Sequence, residues 1–301
     1  MSFKCGFVTL LGRPNAGKST LLNRILGEKV AITSHRPQTT RNRIPGVLTR
    51  EADQMIFIDT PGIHHAERAL NTYMVDIAHN SIADVDVIAL LIEVKAKVAE
   101  EGLIGEVEAK VLERLAEVNK PVFLVLNKID RIDKMLLLPM IDQVRDAYPF
   151  TEIVPISALK GDGVEILVES LAQQMPESPA LYPEDALTDL PERFIVAEIV
   201  REKLFQLLER EVPYATAVTI ETWQDRSDDN LTEIQAVIHV ERDSQKSIVI
   251  GRGGQMIKEI GTRARRDIER LLGTRVHLKL FARVEKGWTR NASSMRKLGY
   301  E

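Results

Sequence analysis

The sequence predicts an α/β domain, a mostly parallel sheet with helices on both faces, followed by a smaller α+β domain. Two patterns carry the first part. Near-continuous apolar runs lie at 7–11, 55–58, 86–92, 122–126 and 153–156, and segments of helical periodicity separate them at 18–26, 68–82, 103–118, 134–147 and 163–174. Strands that are apolar on both faces and joined through helices suit a parallel sheet covered on each side. A third observation marks the boundary. The stretch MPESPALYPEDALTDLPE carries Pro176, Pro179, Pro183 and Pro191 among carboxylates, without apolar periodicity, which suits an exposed, semi-stiff connection. The expected division is therefore 1–175, a linker at 176–191, and a second domain at 192–301. The second domain reads helix (192–210), strand (216–223), strand (233–242), helix (255–272), strand (275–284).

Composition narrows the class. Hydrophobic residues make up 44% and charged residues 28% of 301, enough to build two cores. No run approaches the ~18 apolar residues of a membrane span. The N-terminal apolar stretch leads straight into a motif that cleavage of a leader would destroy, so no leader is expected. Cys5 is the sole cysteine, which excludes an internal disulfide and a Cys/His zinc cluster and fits a reducing cytoplasm. Charge is uneven: residues 246–301 hold fourteen Lys/Arg against five Asp/Glu, whereas the chain as a whole is −4. A basic tail region on an acidic body is the electrostatic footprint of a nucleic-acid module.

The element after the first strand is the most specific. Residues 12–19 read GRPNAGKS (Gly12, Arg13, Pro14, Asn15, Ala16, Gly17, Lys18, Ser19), directly after Phe7–Leu11 and before a helix through Thr20–Leu26. Glycines let the chain turn so that its N–H groups converge on an anion, and the helix N-terminus adds partial positive charge. In this G-x-x-x-x-G-K-[ST] spacing Lys18 is expected at the β- and γ-phosphates and the Ser19 hydroxyl on Mg²⁺.

The later strand ends supply the rest of a site. DTPG at 59–62 follows Met55–Ile58, with Asp59 expected to hold Mg²⁺ through water and Gly62 N–H to sense the γ-phosphate; Thr60 and Pro61 complete the turn. The polar segment PQTTRNR (37–43) reads as a switch loop whose Thr40, in preference to Thr39, closes on the metal when the γ-phosphate is present. Lys18, Thr40 and Gly62 form the expected catalytic set. NKID at 127–130 follows Val122–Leu126. Asp130 is placed to accept from the guanine N1–H and amino group, donors that adenine lacks there, with Asn127 tying the loop and the Lys128 stem covering the ring. SALK (Ser157, Ala158, Leu159, Lys160) after Ile153–Ile156 offers the Ala158 N–H to guanine O6. The ligand expected is GTP or GDP.

In the second domain GRGG (Gly251-Arg252-Gly253-Gly254), preceded by Ile250, is expected between the end of an apolar strand and a helix start. Small residues let a sugar–phosphate backbone approach, while the helix dipole, Arg252 and Lys258 favour phosphates. The helix that follows places Ile257, Ile260, Ala264, Ile268 and Leu271 on its core face, and the last strand turns Val276, Leu278, Leu280, Ala282 and Val284 inward.

Taken together, GRPNAGKS, QTTR, DTPG, NKID and SALK resemble the translation-factor-related class of bacterial GTPases, and GRGG in its basic segment resembles a KH type II RNA-binding domain. The combination, with KGW at 286–288, is similar to the Era family over essentially the entire chain. The resemblance implies a P-loop GTPase domain followed by a KH domain, GTP hydrolysis, binding to the 3′ region of 16S ribosomal RNA and assistance to 30S subunit assembly. It also implies a cytoplasmic, mainly monomeric protein with peripheral attachment to the inner membrane as a further property. The alternative is a membrane-associated regulatory GTPase whose basic domain docks lipid or protein. The tandem GTPase class would need a second phosphate loop, which the sequence does not contain. Asn15 resembles the asparagine that helps bind an activating K⁺ in relatives of the class. Ile63 departs from the Ras-type pattern, which carries a water-orienting glutamine there, so slow intrinsic turnover is expected; His64 and His65 read as exposed loop residues.

Overall fold

The computed structural model describes residues 2–63, 69–95, 102–226 and 230–300. Two compact units result, one comprising 1–66 and 73–189, the other 67–72 and 190–301.

In the first unit six strands form one sheet: β1 (Lys4–Gly12), β2 (Ile44–Thr49), β3 (Asp53–Asp59), β4 (Val87–Glu93), β5 (Val122–Asn127) and β6 (Glu152–Ile156), in the order β2-β3-β1-β4-β5-β6. All neighbours are parallel except β2, which runs antiparallel to β3 from Ile44↔Asp59 to Thr49↔Gln54. The helices are α1 (Lys18–Leu26), α2 (Ala69–Asn80), α3 (Glu106–Leu115), α4 (Leu137–Val144) and α5 (Val164–Gln173). Ile56, Ile88, Leu90, Leu124 and Leu126 share one core with Ala78 of α2, Val111 and Leu115 of α3, and Met140 and Val144 of α4. α1 packs on β1–β3 and against α5. With both faces covered, the carboxyl ends of the parallel strands are left as the place where loops can converge on a ligand.

β2 was not expected from the sequence. Its segment, IPGVLT, is short and interrupted by Pro45 and Gly46, and proline is tolerated because this is an edge strand. The expected helix at 134–147 is shorter than predicted, a 3₁₀ turn at Lys134–Leu136 followed by α4, which contains Pro139.

The linker needs a correction. Most side chains of 176–189 face solvent, but the backbone is strapped to the first unit. Cys5 N–H donates to Pro176 O (3.0 Å), Ser178 N–H to Phe3 O (3.2 Å) and Val47 N–H to Leu187 O (2.9 Å). The fully buried Gln54 is the anchor. Its Oε1 accepts from the N–H groups of Leu181 (2.8 Å) and Tyr182 (2.9 Å), and its Nε2 donates to Tyr182 O (2.9 Å) and Thr49 Oγ1 (2.9 Å). A proline-rich segment is poor at pairing with itself, so some of its N–H and C=O groups are satisfied by the start of β1, by the edge strand β2 and by one amide side chain.

The second unit contains α6 (Glu192–Leu207), β7 (Ala217–Arg226), β8 (Leu231–Val240), α7 (Asp243–Ile250), α8 (Gln255–Leu272), β9 (Arg275–Val284) and α9 (Ala292–Lys297). The sheet order is β7-β8-β9, with β7 and β8 antiparallel and β8 and β9 parallel. Its core joins Val196 and Val200 of α6, Ile234, Ala236 and Ile238 of β8, and Ile260, Ala264 and Ile268 of α8. Two expectations fail here. The apolar SIVI before Gly251 ends a helix, not a strand, because Gln245 Oε1 accepts from the N–H groups of Glu241 (2.9 Å) and Arg242 (3.1 Å) and starts a helix. Leu271 is 40% exposed, and Leu272, four residues after Ile268, packs on the core instead.

Gln54→Leu keeps the volume but leaves two strap N–H groups without their acceptor. It should cost the first unit on the order of 2–4 kcal/mol, read as a lower urea midpoint, and should open 176–189 to protease. An unchanged midpoint and cleavage pattern would refute the anchoring role.

Candidate nucleotide site and nucleic-acid turn

The phosphate loop leaves the carboxyl end of β1 and closes through Ala16 N–H to Arg13 O (3.2 Å). Gly17, at φ 102°, is the helix N-cap, and a Cβ on it would lie 2.1 Å from Asn127 Nδ2. Lys18 is buried, and its Nζ donates to Gly12 O (3.0 Å) and Arg13 O (3.1 Å) across the loop. Burial pushes the Lys18 pKa down to about 8, against the opposing charge of Asp59. Burial likewise pushes the Asp59 carboxyl up, while Lys18, Ser19 and Thr40 act the other way. An ammonium desolvated at an anion-shaped loop is a strong attractor for phosphate.

Beside it three oxygens meet. Ser19 Oγ donates to Asp59 Oδ2 (2.5 Å), Thr40 Oγ1 lies 2.8 Å from Ser19 Oγ, and it donates to Asp59 Oδ2 at 3.2 Å. Asp59 Oδ1 has no hydrogen-bond partner among the described residues. Hard oxygen donors, one of them a buried carboxylate with a spare lone pair, fit Mg²⁺. The neighbouring threonine turns away, Thr39 Oγ1 donating to Arg36 O (2.9 Å). Asn15, at φ 65°, donates its Nδ2 to His35 O (2.9 Å) at the edge of the same loop.

The DTPG turn is pressed against the phosphate loop. Thr60 Oγ1 donates to Leu10 O (2.6 Å) and Ile63 N–H to Gly12 O (3.1 Å). A Cβ on Gly62 would stand 2.4 Å from Pro14 N, so only glycine lets the two backbones approach this closely. The Ile63 side chain is 6% exposed and belongs to the core. His64 and His65 lie outside the described residues.

At the base end Asn127, 1% exposed, joins three loops. Its Nδ2 donates to Ala16 O (2.7 Å), and its Oδ1 accepts from Lys128 N–H (2.8 Å) and Ala158 N–H (3.0 Å). The Ala158 N–H expected at guanine O6 is thus engaged by Asn127. Asp130 Oδ1 accepts from Ser157 Oγ at 2.6 Å, which holds the carboxylate at the cavity. Leu159 is exposed at the rim. A cavity of about 380 Å³ runs from Pro14, Lys18 and Thr40 to Lys128, Asp130 and Ala158, the size of a nucleotide.

Two residues absent from the motifs support this end. Glu93, closing β4, pairs with Lys128 (2.9 Å) and Lys95 (3.3 Å); burial raises its carboxyl, but Lys128 and Lys95 prevail and hold it below the usual range. Arg24 of α1 donates Nε to Ala158 O (3.2 Å) and Nη2 to Leu159 O. Neither has a spacing signal, because each acts on a loop distant in sequence.

In the second unit Gly251 caps α7, a single 3₁₀ turn covers Arg252–Gly254, and Gly254 is the N-cap of α8. Arg252 and Lys258 are exposed, Ile250 half-buried. Gly253 (φ 59°) and Gly254 (φ 79°) have nothing within 4 Å of where a Cβ would sit. A bare backbone turn at the N-terminus of an eighteen-residue helix is open to a phosphodiester chain.

Comparison with known proteins adds family context. Residues 7–128 match a family described as 50S ribosome-binding GTPase, and residues 211–289 match the KH domain. GTPase Era of Geotalea uraniireducens is 55% identical, with 99% of this chain and 98% of the relative covered. GTPase Era of Geobacter metallireducens is 52% identical over the same shares. Among solved structures, an Aquifex aeolicus Era variant bound to GDP and AlF₄⁻ matches with TM-score 0.93 and 43% identity. Era in complex with MgGDPNP and nucleotides 1506–1542 of 16S ribosomal RNA matches with TM-score 0.93 and 42% identity. Each of these two covers 99% of both chains.

The lowered Lys18 pKa has a testable sign. Between about pH 8 and its ordinary 10.5 the folded chain has lost a proton that the unfolded chain keeps, so this group's contribution to stability rises with pH in that window. Phosphates reverse the shift, so GDP binding at pH 8.5 should take up a sizeable fraction of a proton, and far less at pH 7. Calorimetry in buffers of different ionisation enthalpy reads this directly; heats independent of buffer at pH 8.5 would contradict it.

Proposed function

Because the chain belongs to the Era family of GTPases, we propose that it is a cytoplasmic, GTP-timed factor that grips the 3′ region of 16S ribosomal RNA and assists assembly of the 30S subunit. The observation that carries this is a whole-chain match, at 42% identity, to an Era bound to both MgGDPNP and 16S nucleotides 1506–1542. The 50S description attaches to a family matched by residues 7–128 only, so the whole-chain relative weighs more. The lipid-docking alternative has no comparable observation behind it. Among the described residues no helix is long and apolar enough to cross a membrane.

In this reading the phosphate loop and Lys18 hold the β- and γ-phosphates, and Asp130 selects guanine through its N1–H and amino group. Ser19, Thr40 and Asp59 would hold Mg²⁺, which when bound supplies positive charge to the phosphate oxygens. Thr40 then ties the 37–43 loop to the triphosphate, and Gly62 N–H senses the γ-phosphate, so loss of that group releases both. Lys18 and Gly62 N–H also stabilise charge on the transferring phosphoryl group. With Ile63 in the core, no side chain at that position orients water, and intrinsic turnover is slow. The state of the switch sets when the GRGG turn engages rRNA.

Gly253→Asp with Gly254→Asp tests the RNA half. The positions are open, so the substitutions cost roughly 1–2 kcal/mol each for left-handed backbone but set two carboxylates against phosphates. Binding of a 16S 3′-end RNA should fall at least about tenfold while GTP turnover is retained. Retained RNA binding would overturn the assignment. The coupled-switch reading fails if crosslinks to that RNA are the same with GDP and a non-hydrolysable GTP analogue.

Asn15 lies at the edge of the phosphate loop, its Nδ2 donating to His35 O; its side-chain oxygen is the group that would help hold K⁺, as the resemblance implies, and hydrolysis is expected to run severalfold faster in K⁺ than in Na⁺. Equal rates would remove Asn15 from that role.

A further inference from the structure

The phosphate loop is held from outside by a residue that none of the motifs contains. Arg13 and Glu108 face each other through two contacts, Nε to Oε1 at 2.5 Å and Nη2 to Oε2 at 2.8 Å. Glu108 lies in the first turn of α3, 95 residues away in sequence, with a side chain only 9% exposed. Its Oε2 also accepts from Gly105 N–H at 3.1 Å, so the same carboxylate caps the helix. A Cβ on Gly105 would lie 2.9 Å from Arg13 Nη2 and 3.0 Å from Glu108 Oε2, too close for the pair to keep its geometry.

On the loop side, Arg13 continues the chain of contacts. Its carbonyl, with that of Gly12, accepts from Lys18 Nζ. A continuous path therefore runs from α3 through Glu108 and Arg13 to the ammonium that meets the phosphates. The two-pronged arrangement suits arginine, whose planar fork fixes direction as well as distance.

We propose that Glu108 is a positioning residue of the GTPase: by clamping Arg13 it sets the backbone of residues 12–14, and with it Lys18, before nucleotide arrives. A loop ordered in advance does not lose that freedom on binding, so the clamp acts on nucleotide affinity. The Arg13 side of the pair is half-exposed, which keeps its direct contribution to folding small. The inference rests on the loop binding guanine nucleotide and is independent of RNA.

Glu108→Gln separates the clamp from the cap, because the glutamine amide oxygen still accepts from Gly105 N–H while the charge facing Arg13 is gone. Dissociation constants for GDP and GTP should each rise about five- to tenfold. KM for GTP should rise with them, while kcat at saturation changes less than about twofold, since bound phosphates then order the loop. Arg13→Gln, on the exposed arm, should give the same loss without touching the helix, and the double variant should be no worse than either single one. Arg13→Lys should restore only part of the affinity, lacking the fork. A purely structural role would instead lower the melting temperature of the nucleotide-free Glu108→Gln protein and leave Arg13→Gln near normal. That result, losses that add in the double variant, or unchanged GDP affinity in Glu108→Gln would each overturn the proposal. GDP binding by the unaltered protein in the same series checks the premise separately.

Discussion

The Asn127 side chain is the joint on which the nucleotide site depends. It ends strand β5, is almost fully buried, and bonds to the phosphate loop, to its own turn and to the 157–160 loop at once. Three loops from three strand ends thereby acquire one common reference point. A buried amide with its hydrogen-bonding groups satisfied rigidifies what it touches, because every alternative arrangement leaves polar groups unpaired in a dry setting. Its close fit also explains Gly17, since any side chain there would occupy the space of the Asn127 amide.

Around that joint the site stores charge. Lys18 and Asp59 are both buried, each shifted by burial towards its neutral form and each pulled back by the other. Such groups are costly until paired, and the pairing on offer is incomplete, because Asp59 Oδ1 lacks a partner among the described residues. Phosphate and a divalent cation would meet these two deficits together. Arg24, Glu93 and Glu108 surround the centre and hold the loops that carry it, so the unsatisfied charge sits on a braced frame.

Much of this was legible in the sequence, for a physical reason. A parallel strand buried on both faces is a continuous apolar run, and in this fold the chemistry follows such runs immediately, so GRPNAGKS, DTPG, NKID and SALK announce their own positions. The bracing residues carry no such signal: Glu108 and Arg13 are 95 positions apart, Arg24 and Ala158 134, and only the folded sheet brings them together. The misreadings also have causes. SIVI is apolar enough for a strand, but the Gln245 capping interaction makes it the end of a helix. IPGVLT is not singled out as a strand by its sequence, since Pro45 and Gly46 interrupt its apolar run, yet an edge strand accepts both. The 176–189 segment has the composition of a free linker, and nothing local reveals that Gln54, more than a hundred residues earlier, binds its backbone.

Position 63 shows how packing and chemistry compete for one residue. A glutamine there must reach solvent to hold a water, and the turn that carries it must tolerate that freedom. Isoleucine does the opposite. Its side chain enters the core shared with Leu11 and Leu90, and its N–H bonds to Gly12 O. The burial draws Gly62 onto Pro14 until no Cβ would fit between them. The backbone N–H expected to read the γ-phosphate is thus fixed by hydrophobic packing next to the loop that cradles it. Position 63 thus offers no side chain to a water, and under the proposed function the Gly62 N–H would be a rigid sensor of the γ-phosphate, a trade that would favour a long-lived bound state over rapid turnover.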